Sequence, residues 1–197
     1  MSTAVYEYKR AKTRQRGVAA VELALVAIPF FLMFLGAIEF GRLMYVWNTV
    51  QEVTRNAARQ AVVSNFDAAT KAGIRNFSVF RTTAGPLPAA AEITDANIKI
   101  RYLNAAGNVA NINGSSTPTT NNAACLDSTR LDECIRHVEV CVVITSQANT
   151  NATCAAGTEV SFSPMIGFFT NLNVLKIPRS TVRMPAESMG FVPLITP

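Results

Sequence analysis

A chain of 197 residues that is 49% apolar and only 16% charged is too rich in core-forming side chains to be disordered. Ten Gly and nine Pro exclude collagenous and low-complexity architectures, and the length suits one ordinary domain or a small domain with an appendage. The net charge of +5 does not mark a nucleic-acid binder. Lys9, Arg10, Lys12, Arg14 and Arg16 all fall in the first 17 residues against one acid, Glu7, which leaves the rest of the chain near neutral. A nucleic-acid domain spreads basic and aromatic side chains over a folded face instead.

In chain order, residues 1–17 form a basic leader expected to stay cytoplasmic, directly before an apolar run. Val18 to Ile38 (VAAVELALVAIPFFLMFLGAI) carries one charge, Glu22. As a helix it spans roughly 30 Å, the thickness of a bilayer's hydrocarbon core. A single membrane-spanning helix is expected over 18–41. A cleavable secretory signal fits less well. Its small-residue site would fall at Leu35-Gly36-Ala37, and the run exceeds the roughly 7–15 residues of a signal core. Glu22 and Pro29 are unusual in a plain anchor, the first for its charge and the second for its missing backbone donor.

The helical pattern continues past the span. Leu43, Val46, Val50, Val53, Ala57 and Ala61 recur at the helical period, with Gln51, Glu52, Arg55 and Arg59 opposite. One continuous helix from about 18 to 64 is expected, with 42–64 as an amphipathic extension packed on its own outer domain. Glu52 can pair with Arg55, and Glu39 with Arg42, three residues on.

Residues 65–197 are expected to form a β-rich outer domain. A short helix is expected over Ala72–Phe80, and a turn at Gly85, Pro86 and Pro88. Asn97–Leu103 alternates like a half-buried strand, and 104–124, uncharged and rich in Asn, reads as a long loop. His137–Thr145 is the strongest strand, Glu159–Pro164 a shorter one. Val174–Ile177 and Ser180–Met184, either side of Pro178, are expected as closing edge strands. The fold class is α+β: a long N-terminal helix on a small, mainly antiparallel sheet.

Cys125, Cys134, Cys141 and Cys154 lack the close pairs of a zinc site. An even count outside a membrane fits two disulfides. Three pairings are possible, and Cys125–Cys134 with Cys141–Cys154 is favoured because each closes a local loop beside the central strand. Nucleophile-elbow, zincin, phosphate-loop and dinucleotide motifs are all missing, and there is one histidine, so no catalytic residue, metal or cofactor is expected. Asp127, Asp132 and Glu133 are the weak candidates for a calcium site and fit a solvated loop better.

The stretch Arg14 to Val63 resembles the TadE-like family of tight-adherence (Tad) pilus systems. Its Arg-Gly before an apolar start containing Glu, its Ile38-Glu39-Phe40-Gly41-Arg42 and its Asn56-Ala57-Ala58-Arg59 carry the likeness. Leu175 to Glu187 resembles the family's final strand region more loosely, and 66–174 carries no resemblance. The likeness implies a pilin-like fold and a minor pilin or pseudopilin, cut by a prepilin peptidase between Gly17 and Val18. Glu22 then falls at the fifth mature position, where its carboxylate pairs with a neighbouring subunit's new amino group. Pro29 would let the helix bend during assembly, while Glu39 and Arg42 match a family segment of unassigned role. The implied partners are other minor pilins, the major pilin, the peptidase, an inner-membrane assembly platform and the lipid bilayer. The implied location is the bacterial inner membrane with the C-terminal domain periplasmic, or the extracellular pilus after assembly. The alternative is a single-span envelope protein whose outer domain binds a ligand or partner without joining a filament.

Overall fold

The computed structural model describes residues 16–112, 116–148, 154, 157–167 and 174–190. The leader's residues 1–15 lie outside them. The chain opens on one 48-residue helix, α1 (Arg16–Val63), within two residues of the expected bounds, and Pro29 sits inside it without ending it. An apolar segment tolerates such a proline because local adjustment of the helix re-satisfies the freed carbonyl.

Contacts divide the chain into two units, Met1–Phe40 and Gly41–Pro197. In the described part of the first unit, Val18, Leu23, Phe30, Met33 and Phe34 are all more than half exposed. Burying such side chains against protein is what a soluble helix of this composition would do, and here none of the apolar window is buried.

In the second unit the rest of α1 supplies one wall of the core. Leu43, Val46, Val50, Val53, Ala57 and Ala61 are buried, while Gln51, Glu52, Arg55 and Arg59 are exposed, as the helical period requires. Thr54, Ala58 and Val62 widen the stripe.

Helix α2 (Ala68–Ser78) begins four residues before the expected Ala72. Asp67 sets the start, accepting from the Thr70 amide at 2.8 Å and the Thr70 hydroxyl at 2.6 Å, so its carboxylate satisfies an otherwise unpaired donor. The expected turn at 85–88 is the first half of a hairpin joining β1 (Pro86–Leu87) to β2 (Ala90–Thr94). Ala89 takes φ 59° at its tip. A 3₁₀ turn, Asp95–Asn97, leads into β3 (Ile98–Leu103).

β3, β4 (His137–Val142) and β5 (Val182–Pro185) form an antiparallel sheet with β4 in the centre. Register places Ile98, Ile100 and Tyr102 opposite Val142, Val140 and Val138, and β5 sets Val182 and Met184 against Val140 and Val138. These side chains and the α1 stripe belong to one hydrophobic cluster. The strand expected to be half-buried is buried at all six positions. Lys99 and Arg101 occupy the second face, and burial is tolerable there because Arg101 pairs with Glu139 directly across the ladder.

Four further expectations are corrected. The 104–124 loop gives way to a helix, α3 (Pro118–Leu126), started by a Thr117–Thr120 capping box with Pro118 in its first turn. Glu159–Pro164 and Val174–Ile177 are not strands but meet through one bridge, Ser161 with Lys176, between two prolines that cannot donate to a ladder. The Ser180–Met184 strand starts at Val182, since Ser180 at φ 44° is not extended. A short α4 (Thr145–Ala148) follows β4.

The end of α1 is sealed by the segment after β5. Glu187 and Met189 donate their amides to the Val62 carbonyl at 3.1 and 3.2 Å, and Gly190 donates to Val63 at 2.7 Å. Helix ends carry such orphan carbonyls by construction. Gly190 is needed for this approach: it takes φ 77°, and a Cβ there would sit 2.7 Å from the Asn65 nitrogen.

Candidate functional site

The residues singled out in the sequence fall into three places. Gly17, Val18, Glu22 and Pro29 lie on the first unit's helix, all exposed. A Cβ at Gly17 would meet nothing within 4 Å, so packing does not explain the glycine. The Gly17–Val18 bond lies in the first turn of α1, where four amides have no intrahelical acceptor and unwinding costs least. Glu39, in the same unit, is 2% exposed.

Arg42 opens the second place. It makes an ion pair with Glu92 of β2 at 3.2 Å, with both side chains at most 10% exposed. It also donates to the Ala89 carbonyl at 3.2 Å and to the Ser163 carbonyl, and lies 4.5 Å from the Phe162 ring centroid. One guanidinium thus ties α1 to the hairpin and to the 162–163 segment. A planar fork with five donors suits such a role better than the compact three-donor ammonium of a lysine. Glu92, Ala89, Phe162 and Ser163 are partners that sequence reasoning missed, since nothing in a local pattern links positions 47 to 121 residues apart. The Glu52–Arg55 pair forms as expected at 3.1 Å, fully on the surface.

The third place is the cysteine set. Cys125 bonds Cys134, and Cys141 bonds Cys154. The first clips the end of α3 to the segment before β4, and the Asn121 side chain accepts from the Ile135 amide at 2.9 Å beside it. The second tethers β4 to Cys154, whose carbonyl accepts from Arg179, itself paired with Glu159 at 3.2 Å.

Among the described residues no group of three His, Cys, Asp or Glu is arranged to hold a metal. Asp127 accepts from Thr129, whose bonds hold its carboxyl below the ordinary 3.8. Glu133 pairs with Arg130. Elsewhere the electrostatics are those of a packed core: burial pushes the Tyr102 hydroxyl well above its ordinary 10.0 and lowers Lys71, which lies 5.8 Å from the Tyr102 ring.

What the arrangement offers is attachment: an exposed apolar helix long enough to cross a membrane, joined to a small disulfide-clipped domain. That composition fits a single-pass membrane protein. No curated protein and no solved structure matches the chain. Residues 17–59 match the family model described as TadE-like protein, a stretch that takes in Glu22, Pro29, Ile38–Arg42 and Asn56–Arg59.

Proposed function

We propose that the protein is a membrane-anchored structural subunit of a Tad-type pilus, of the minor pilin or pseudopilin kind. The observation that carries this reading is the coincidence of the TadE-like match with one helix whose apolar window, long enough to cross a membrane, is not buried against protein. An exposed span is suited to leaving one apolar environment for another, from bilayer to filament core, because both bury it equally. The outer domain lies on the periplasmic side, where its two disulfides persist.

Prepilin peptidase cuts between Gly17 and Val18 and leaves the span on the mature chain. Glu22, exposed on the helix, then faces the new Val18 amino group of an adjacent subunit, and the pair offsets the cost of burying either charge. Other minor pilins, the major pilin and the inner-membrane platform are the partners of this step. N-terminal sequencing of membrane-purified protein should begin at Val18, and the protein should appear in sheared pilus fractions. An intact N-terminus in cells that hold the peptidase would overturn the processing step. Retention in the inner membrane, never in pili, would favour a tethered binder instead.

A further inference from the structure

We propose that the cavity between α3 and the loop closed by Cys125–Cys134 binds one uncharged sugar ring or cyclic polyol. Thr120, Asn121 and Ala124 of α3 line it together with Ile112, Arg130 and Glu133, around about 170 Å³. A cavity of roughly 150 Å³ admits benzene, so there is room for a single six-membered ring. The disulfide holds the two sides in place, because Cys125 follows Ala124 and Cys134 follows Glu133.

The polar groups that remain unused here select the ligand. Asn121 is 6% exposed, and its Oδ1 accepts from the Ile135 amide at 2.9 Å. That bond fixes the orientation of the amide. Its Nδ2 points away from Ile135, and the two donors there meet no partner among the described residues. Arg130 donates through Nε at 3.0 Å, and through Nη2, to the same Glu133 oxygen, Oε2. Among the described residues this leaves Arg130 Nη1 as a donor and Glu133 Oε1 as an acceptor. The Thr120 hydroxyl adds nothing, since the capping box with Thr117 occupies it. A hydroxyl both donates and accepts. Neighbouring ring hydroxyls therefore donate to Glu133 and accept from Arg130 and Asn121, while ring C–H groups cover Ile112 and Ala124. Charge excludes the alternatives. Glu133 cancels Arg130, and Asp127 and Asp132 also act on Arg130, so an anion meets repulsion. An ammonium group has no acceptor to offer Asn121.

The test is saturation-transfer NMR on the full-length protein in phosphatidylcholine nanodiscs, with no sugar-based detergent. Methyl glucoside, methyl galactoside and methyl mannoside stand for a chain-terminal sugar, myo-inositol for a free polyol, and glucuronate is the charged control. At least one neutral probe should receive saturation several-fold above glucuronate, and which one responds tells the two sources apart. Asn121→Asp keeps the oxygen that Ile135 needs but loses both donors, and should weaken that binding about tenfold. Glu133→Ala, at a partly exposed position, should weaken it similarly and raise the response to glucuronate, because Arg130 loses its partner. Should Asn121→Asp lose its native circular dichroism, Glu133→Ala decides alone. No response from any neutral probe, or neutral binding undiminished in Glu133→Ala, would overturn the proposal.

Discussion

Removing the Arg42 guanidinium would leave Glu92, 7% exposed, as a buried carboxylate with its ion-pair partner gone. Arg42→Ala should therefore destabilise the outer unit by about 3 kcal/mol, read from chemical denaturation in detergent. Arg42→Lys restores the charge but not the fork, and should recover only part of the loss. A midpoint unchanged in the alanine variant would show that the cluster forms without contributing. Gly190 makes the second residue-scale case. Gly190→Ala puts a Cβ into the Asn65 backbone at a φ that L side chains avoid, so a cost of roughly 1–2 kcal/mol or more is expected in the same assay. An alanine variant as stable as the parent would mean the helix end is sealed some other way.

At the scale of elements, the starts of α2 and α3 were written in short polar signals. Asp67, held below 3.8 by the Thr70 hydroxyl and amide, contributes stability that is fully present above 3.8 and is lost as pH falls through its lowered folded value. Asp67→Asn keeps a capping oxygen but cannot titrate, so its acid unfolding limb should be shallower in a pH series of melting temperatures. Thr117-Pro118 with Thr120 signals a helix start just as plainly, yet the Asn-rich, uncharged surroundings point to a loop. What makes the helix stable is not in that segment: α3 is tied down by Cys125–Cys134 and by Asn121 binding Ile135. Replacing Cys125 and Cys134 together by serine should cost on the order of 2–3 kcal/mol, and the protein from intact cells should show no free thiol before reduction. Four reactive thiols without reductant would contradict both bonds.

For the whole molecule, the boundary between units falls at Phe40, inside α1, so the amphipathic half of the helix belongs to the outer unit's core. Val46, Val50 and Val53 are fully buried, and each such side chain is worth roughly 1.5–3 kcal/mol. With Ala57, Ala61 and Val62 they form the helix's contribution to the outer unit's core. A chain starting at Gly41 should be soluble and cooperatively folded, while one starting at Asn65 should not fold. Equal near-ultraviolet dichroism from both would refute that division of labour.

Periodicity alone determined α1, its exposed and buried stripes and the central strand β4, because each is a local pattern repeated often enough to outweigh its neighbours. Local loop closure favoured Cys125–Cys134 with Cys141–Cys154 among three possible pairings, and the folded chain forms both. Tertiary structure decided what local pattern cannot carry. Lys99 and Arg101 alternate with apolar residues as a solvent face would, but become buried once Glu139 lies across the ladder. Val174–Ile177 reads as a strand, but with a proline next to it it joins its partner at a single bridge. Arg42 looks like a helix-surface cation whose nearest acid is three residues away. It also reaches a hairpin and a 162–163 segment that only the folded chain brings within hydrogen-bond reach, because long-range polar partners are chosen by packing and not by spacing.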